Sequence, residues 1–167
     1  MRDQAMRFVS QGLTSLDEVH RVLSDEVDGE PPAHIQARVL IADDEPIARM
    51  IVRRLLEREN FRVLEAANGK QAVDIAMRER PDLMIIDLNM PEMDGYEAIA
   101  RLRRDITVAA TLPIMVLTSE EGPAVESRVL ELGADDYIVK PFDPTVLLSR
   151  VNAVFNRRGS YGGVEAR

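Results

Sequence analysis

The sequence predicts an α/β fold: a doubly wound, five-stranded parallel sheet with helices on both faces. Three observations point to it. Short, largely apolar runs recur five times from Val39 onward. Each run is followed by apolar residues at helical spacing, as in strand–helix units. Strands this apolar are buried on both faces, which means a parallel sheet between two helix layers. Five units suit the order 2-1-3-4-5, although the pattern alone does not fix that order.

The elements can be taken in turn. Val39–Ala42 is the first strand, and Pro46 opens a helix at its favoured first position, with Ile47, Ile51 and Leu55 along one side. Phe61 to Ala66 is the second strand, followed by a helix from about Gly69 to Arg80. Leu83 to Ile86 is the third, and the helix after Asp94 carries Tyr96, Ile99 and Leu102. Pro113 to Leu117 is the fourth, with a helix through Val125, Val129 and Leu132. Tyr137 to Val139 is the fifth. Asp143 then reads as an N-cap and Pro144 as a first helical residue, in a helix carrying Leu147, Val151 and Phe155.

Residues 1–24 read as a helical extension. Gly12 interrupts it, Thr14 and Asp17 resemble a capping box, and Leu16, Val19 and Leu23 share a face. Residues 25–36 read as a linker, with repelling acids and the helix-incompatible Pro31-Pro32. The globular domain is expected over 37–157, and the Gly-rich end, 158–167, as a disordered tail.

Composition removes several functions. The 167 residues include 29 acids against 21 Lys and Arg, a net charge of -8. That disfavours nucleic acid and anionic membrane surfaces, which both demand a basic face. With no cysteine, disulfides, thiolate metal sites and thiol nucleophiles are excluded. No apolar run approaches the ~20 residues of a membrane span, and the N-terminus has no signal-peptide core. A cytoplasmic protein is expected.

In an open parallel sheet the site lies beyond the carboxyl ends of the strands. Asp43, Asp44 and Glu45 follow the first strand, Asp87 the third, Thr118 the fourth and Lys140 the fifth. If the first and third strands are neighbours, Asp43, Asp44 and Asp87 crowd together. Repulsion among them calls for Lys140 and for a hard, oxygen-loving cation; Mg2+ suits, since it takes few carboxylates and reaches for phosphate. A cation beside a carboxylate is equipment for phosphoryl transfer, where positive groups neutralise charge on the equatorial oxygens. Asp87, central among these groups, is the candidate nucleophile, and the Thr118 hydroxyl a donor to the phosphoryl group.

Each residue has a plainer role when taken alone: Asp43 or Asp44 as a helix cap, Asp87 as a turn residue, Thr118 as a hydroxyl turn, Lys140 as a surface charge, Tyr137 as a rim aromatic. Their placement after four different strands at one sheet edge favours the joint site.

The stretches VLIADDEP, DLMIIDLNMPEMDG, PIMVLTS and GADDYIVKPF resemble, in order and spacing, the four signatures of bacterial two-component response regulator receivers, whose fold is flavodoxin-like. The resemblance covers roughly residues 37–157. It implies that Asp87 is the phosphoacceptor, and that Asp43, Asp44, Asp87 and the backbone carbonyl of Asn89 hold Mg2+, or Mn2+ in its place. It implies that Thr118 and Tyr137 rearrange together on phosphorylation and that Lys140 pairs with a phosphoryl oxygen. It implies a cis bond at Lys140-Pro141. Asn89 and Glu120 match the positions that tune phosphoryl lifetime, and this pair resembles the chemotaxis receiver, implying a short one. Ser119 departs from the family's usual alanine or glycine and puts rates in doubt. The expected partners are a sensor histidine kinase or phosphotransfer protein and an output protein at the face of the fifth strand and its flanking helices. No separate substrate turnover is expected.

Residues 1–25 resemble the C-terminal end of the ATPases of type II secretion and type IV pili, which makes such an ATPase a candidate partner. No nucleotide loop accompanies them: around Gly69-Lys70, Leu64 and Gln71 occupy the positions of the loop's first glycine and its hydroxyl.

A pseudo-receiver would bind partners without phosphoryl chemistry. A flavin carrier is opposed by the acids of the first loop. A haloacid-type phosphatase would need an acid/base where Asn89 stands.

Overall fold

The computed structural model describes residues 36–158, which form five strands and six helices. The expectations for 1–24, for the linker up to residue 35 and for the tail beyond residue 158 lie outside the described residues, as does the ATPase-like segment. The elements are β1 (Arg38–Ala42), α1 (Pro46–Arg58), β2 (Arg62–Ala66), α2 (Gly69–Glu79), β3 (Leu83–Ile86), α3 (Gly95–Arg104), α4 (Ile106–Thr111), β4 (Ile114–Thr118), α5 (Pro123–Leu132), β5 (Asp136–Val139) and α6 (Pro144–Arg158). All strand pairs are parallel and the order is β2-β1-β3-β4-β5, as expected.

Strand alternation separates two apolar layers. Leu40, Ala42, Met84, Ile86, Ile114 and Val116 face α2, α3, α4 and α5, whose buried residues include Ala72, Ile99, Val108 and Val129. Val39, Ile41, Leu83, Ile85, Met115 and Leu117 face α1 and α6, meeting Val52, Leu56, Leu147 and Val151. Each large aliphatic side chain taken from water on either face contributes roughly 1.5–3 kcal/mol. The sheet is therefore anchored on both sides, and its strand ends are fixed in register.

The observed elements depart from the expected ones in a few places. Helix α4 was not anticipated. Its six residues, ITVAAT, are too short for a visible period and bury only Val108; Asp105 caps it, its side chain accepting from the Val108 amide. The helix beginning at Pro46 has Glu45 at its N-cap with no side-chain bond, so neither Asp43 nor Asp44 serves there. Asp43 closes a turn instead, accepting from the Glu45 amide at 2.9 Å. Thr118 is the last residue of β4 rather than the first beyond it, paired with Val139. Lys140-Pro141 is cis. Among the described residues, no helix is long and apolar enough to cross a membrane.

Candidate phosphoryl-transfer site

The strand ends build the site by continuing the sheet's hydrogen bonding one step further. The Asp43 amide donates to the Ala66 carbonyl at 3.1 Å, and the Asp87 amide to the Ala42 carbonyl at 2.9 Å. The Lys140 amide donates to the Thr118 carbonyl at 2.8 Å. Three of the candidate site residues are thus held in place by backbone bonds as well as by their side chains.

Their side chains converge. Asp43, Asp44 and Asp87 each offer a carboxylate oxygen, and these oxygens lie within 4.8 Å of one another. Asp43 and Asp87 are buried, whereas Asp44 is exposed and opens the cluster to solvent. Lys140 Nζ donates to Asp43 Oδ2 at 2.7 Å and to Asp87 Oδ2 at 3.2 Å. Because β4 lies between β3 and β5, the lysine side chain crosses the end of β4 to reach them. Burial alone would lower the pKa of Lys140. The bond to Asp43 and the charges of Asp43 and Asp87 outweigh it and hold the ammonium above the usual lysine range.

Asp87 Oδ1 accepts from its neighbours' amides, Leu88 at 2.7 Å and Asn89 at 3.4 Å. These bonds orient the carboxylate and leave Oδ2 to the lysine. Glycine makes the close packing possible: a Cβ on Gly95 would lie 2.3 Å from the Asp87 carbonyl oxygen. Likewise a Cβ on Gly69 would lie 2.1 Å from the Met93 carbonyl oxygen, so α2 can close against the loop after β3 only with glycine there.

Beyond the cluster, Thr118 is fully buried and its hydroxyl accepts from the Glu120 amide at 3.3 Å. The Tyr137 ring is half-buried against the α3/α5 layer, and its hydroxyl donates to the Glu120 carbonyl at 2.6 Å. Burial raises the Tyr137 pKa, with help from Glu126, Glu121 and Glu120. Ser119 is exposed at the rim and lines a cavity with Lys140, Pro141 and Phe142. Asp43, Asp44, Asp87 and Lys140 thus meet directly, Asn89 adjoins through its amide, and Glu120 links Thr118 to Tyr137. Two further residues, unanticipated, join this network. Tyr96 donates to Glu120 Oε1 at 2.9 Å, and Arg128 stacks on the Tyr96 ring. Their partners are far apart in sequence, and no local pattern announces such contacts.

Residues 39–152 match the family model described as the response regulator receiver domain. The chain belongs to the response regulator receiver family. The receiver is 42% identical over 122 residues to the transcriptional regulatory protein SrrA of Staphylococcus aureus, a match covering 73% of this chain and 49% of that protein. It is 41% identical over 120 residues to the probable transcriptional regulator ycf27 of Porphyridium aerugineum, covering 72% of this chain and 48% of the relative. The chain therefore spans about half the length of the curated relatives it matches. The chemotaxis protein CheY4 of Vibrio cholerae superposes with a TM-score of 0.67 at 35% identity, covering 72% of this chain and 99% of that one. The receiver is a two-component signalling module with the flavodoxin-like order of strands, and the family binds a divalent cation at an acidic aspartate cluster.

Proposed function

We propose that Asp87 accepts a phosphoryl group from a sensor histidine kinase or a phosphotransfer protein, with Mg2+, or Mn2+, held by Asp43, Asp44, Asp87 and the Asn89 carbonyl. One observation carries the proposal: three carboxylates from two strand ends converge, with a lysine from a third bridging two of them. The donor set suits such a cation. It is all oxygen, it is anionic, and it is open to solvent at Asp44, as a hard ion that retains waters requires. When bound, the cation supplies positive charge to the transferred group.

The residues of the chain do the rest. An Asp87 carboxylate oxygen attacks the phosphorus of a phosphohistidine, forming an O–P bond as the P–N bond breaks and its electrons return to the imidazole. Lys140, already beside Asp87, neutralises an equatorial oxygen of the transferred group. The Thr118 hydroxyl donates to another once it leaves the Glu120 amide, and Tyr137, bonded to the same residue, changes its environment in step. The face of α5, β5 and α6, the two helices that flank β5 in the chain, then alters its affinity for an output protein. Such a switch requires phosphorylation to favour one of two states by a few kcal/mol. The chain acts on its own aspartate and turns over no separate substrate. Residues 37–157 form the receiver unit, and the Asn89/Glu120 pair gives the phosphoryl group a short life.

The test is phosphate incorporation from acetyl phosphate into wild type and D87N. Labelling of the wild type that requires Mg2+ and is lost in D87N supports the proposal. Equal labelling of both proteins overturns the site assignment, and no labelling of either leaves the pseudo-receiver reading in its place.

A further inference from the structure

Glu120 is held at three points. Its amide donates to the Thr118 hydroxyl at 3.3 Å, its carbonyl accepts from the Tyr137 hydroxyl at 2.6 Å, and its Oε1 accepts from the Tyr96 hydroxyl at 2.9 Å. Two of these contacts use the backbone groups of Glu120 and reach β4 and β5. The third fixes the carboxylate and comes from α3. Tyr96 is the second residue of α3, directly after Gly95, which packs on the Asp87 carbonyl. Its ring lies under Arg128 of α5, with the guanidinium carbon 3.8 Å from the ring centroid. A chain of side chains therefore runs from α5 through Tyr96 to the residue that also touches Thr118.

The chemistry of that carboxylate gives the chain a consequence. An acyl phosphate on Asp87 is lost when water attacks phosphorus. The new P–O bond forms to the water oxygen, the P–O bond to the Asp87 carboxylate breaks and returns its electrons there, and the water proton passes to an acceptor. An unoccupied carboxylate can take that proton, and Glu120, whose amide bonds the Thr118 hydroxyl, carries the carboxylate assigned to it here. Here the Tyr96 hydroxyl occupies it, through a charge-assisted bond. Burial and the neighbouring Glu120 hold the Tyr96 pKa above its usual value, so the hydroxyl keeps its proton and remains a donor at neutral pH.

We propose that Tyr96, held under Arg128, is a positioning residue that keeps the Glu120 carboxylate engaged and so lengthens the life of the phosphoryl group on Asp87. The inference rests on Asp87 being the phosphoacceptor. It makes α5 more than a recipient of the signal, since any contact that draws Arg128 off the ring loosens Tyr96 and shortens the signal.

The test follows decay of the phosphoprotein in Mg2+ after acetyl phosphate is removed. Y96F keeps the ring beneath Arg128 and removes only the hydroxyl. It is expected to lose phosphate about 10-fold faster, below the ~10²-fold of a fully positioned general base. In an E120A background the same substitution is expected to leave the decay rate unchanged, which a general loosening of the fold would not do. R128A, on an exposed helix position, is expected to accelerate decay by a smaller factor, again only when Glu120 is present; it carries the test if Y96F fails to unfold cooperatively. Unchanged or slower decay, or equal acceleration with and without Glu120, overturns the inference. If wild type and D87N label alike, the Asp87 reading falls and this inference with it; if labelling depends on Asp87 and the decay rates disagree, this inference alone falls.

Discussion

Replacing Lys140 by methionine should make the domain's stability depend on divalent cation far more than it does in the wild type. The substitution keeps an apolar stem of similar length and removes the ammonium that lies 2.7 Å from Asp43 Oδ2 and 3.2 Å from Asp87 Oδ2. At an effective dielectric constant of about 20, charges at those separations attract by about 5–6 kcal/mol each. Carboxylate oxygens within 4.8 Å of one another repel by about 3.5 kcal/mol on the same scale. Desolvation of the lysine, whose side chain is only 20% exposed, offsets much of the attraction. Truncating one member of a buried ion pair costs about 3–5 kcal/mol, and the opening at Asp44 puts this site at the low end, near 3 kcal/mol. For a domain of this size that is a fall in Tm of about 10 °C. The assay is thermal unfolding of wild type and K140M in EDTA and in excess Mg2+. K140M is expected to be less stable in EDTA and to gain more from Mg2+ than the wild type, because a cation then replaces the missing charge without an ammonium to repel it. Equal stability in EDTA, or a Mg2+ response no larger than the wild type's, would refute the electrostatic reasoning.

Three further outcomes are expected. G95A should cost about 2–3 kcal/mol and impair labelling, since its Cβ would lie 2.3 Å from the Asp87 carbonyl oxygen. G122A meets nothing within 4 Å but adopts a φ of +118°, so it should cost about 1 kcal/mol and leave labelling intact; urea unfolding and acetyl phosphate uptake distinguish the two. Lys140, Tyr96 and Tyr137 all have folded pKa values above their ordinary ones. Their stabilisation is full below the unfolded values and is lost as pH rises through the folded ones, so urea midpoints should fall from about pH 10 upward, and less steeply in K140M. The phosphorylated wild type should lose its label quickly in Mg2+, and Y96F more quickly still; a half-life of many hours in both proteins would contradict the role given to Asn89 and Glu120.

The parts of the molecule that were legible in its sequence are those set by local pattern. Runs such as Leu83–Ile86 are apolar on both faces because helices cover both, and such runs yield the five-stranded parallel sheet, although its edge strands β2 and β5 are only half-buried. The acids and the lysine stand directly after such runs, so the rule that sites form at carboxyl strand ends is enough to bring them together. Elements that depend on few residues escaped. Helix α4 buries only Val108 and shows no period. The end of β4 was misplaced by one residue because Thr118, polar in a strand of aliphatic residues, is nonetheless fully buried. The Tyr96–Glu120 bond joins positions 24 residues apart on a helix and a loop. Only the tertiary structure brings them together.

The central claim is that Asp87 is the residue that carries the phosphoryl group. It is tested most directly by locating the modification. The protein is treated with acetyl phosphate and Mg2+, the acyl phosphate is reduced with borohydride to fix its position, and the peptides are sequenced by mass spectrometry. The expected product is homoserine at position 87 and at no other aspartate, absent when EDTA replaces Mg2+. Modification at Asp43, Asp44 or elsewhere, or modification of Asp87 that proceeds equally without a divalent cation, would contradict the claim.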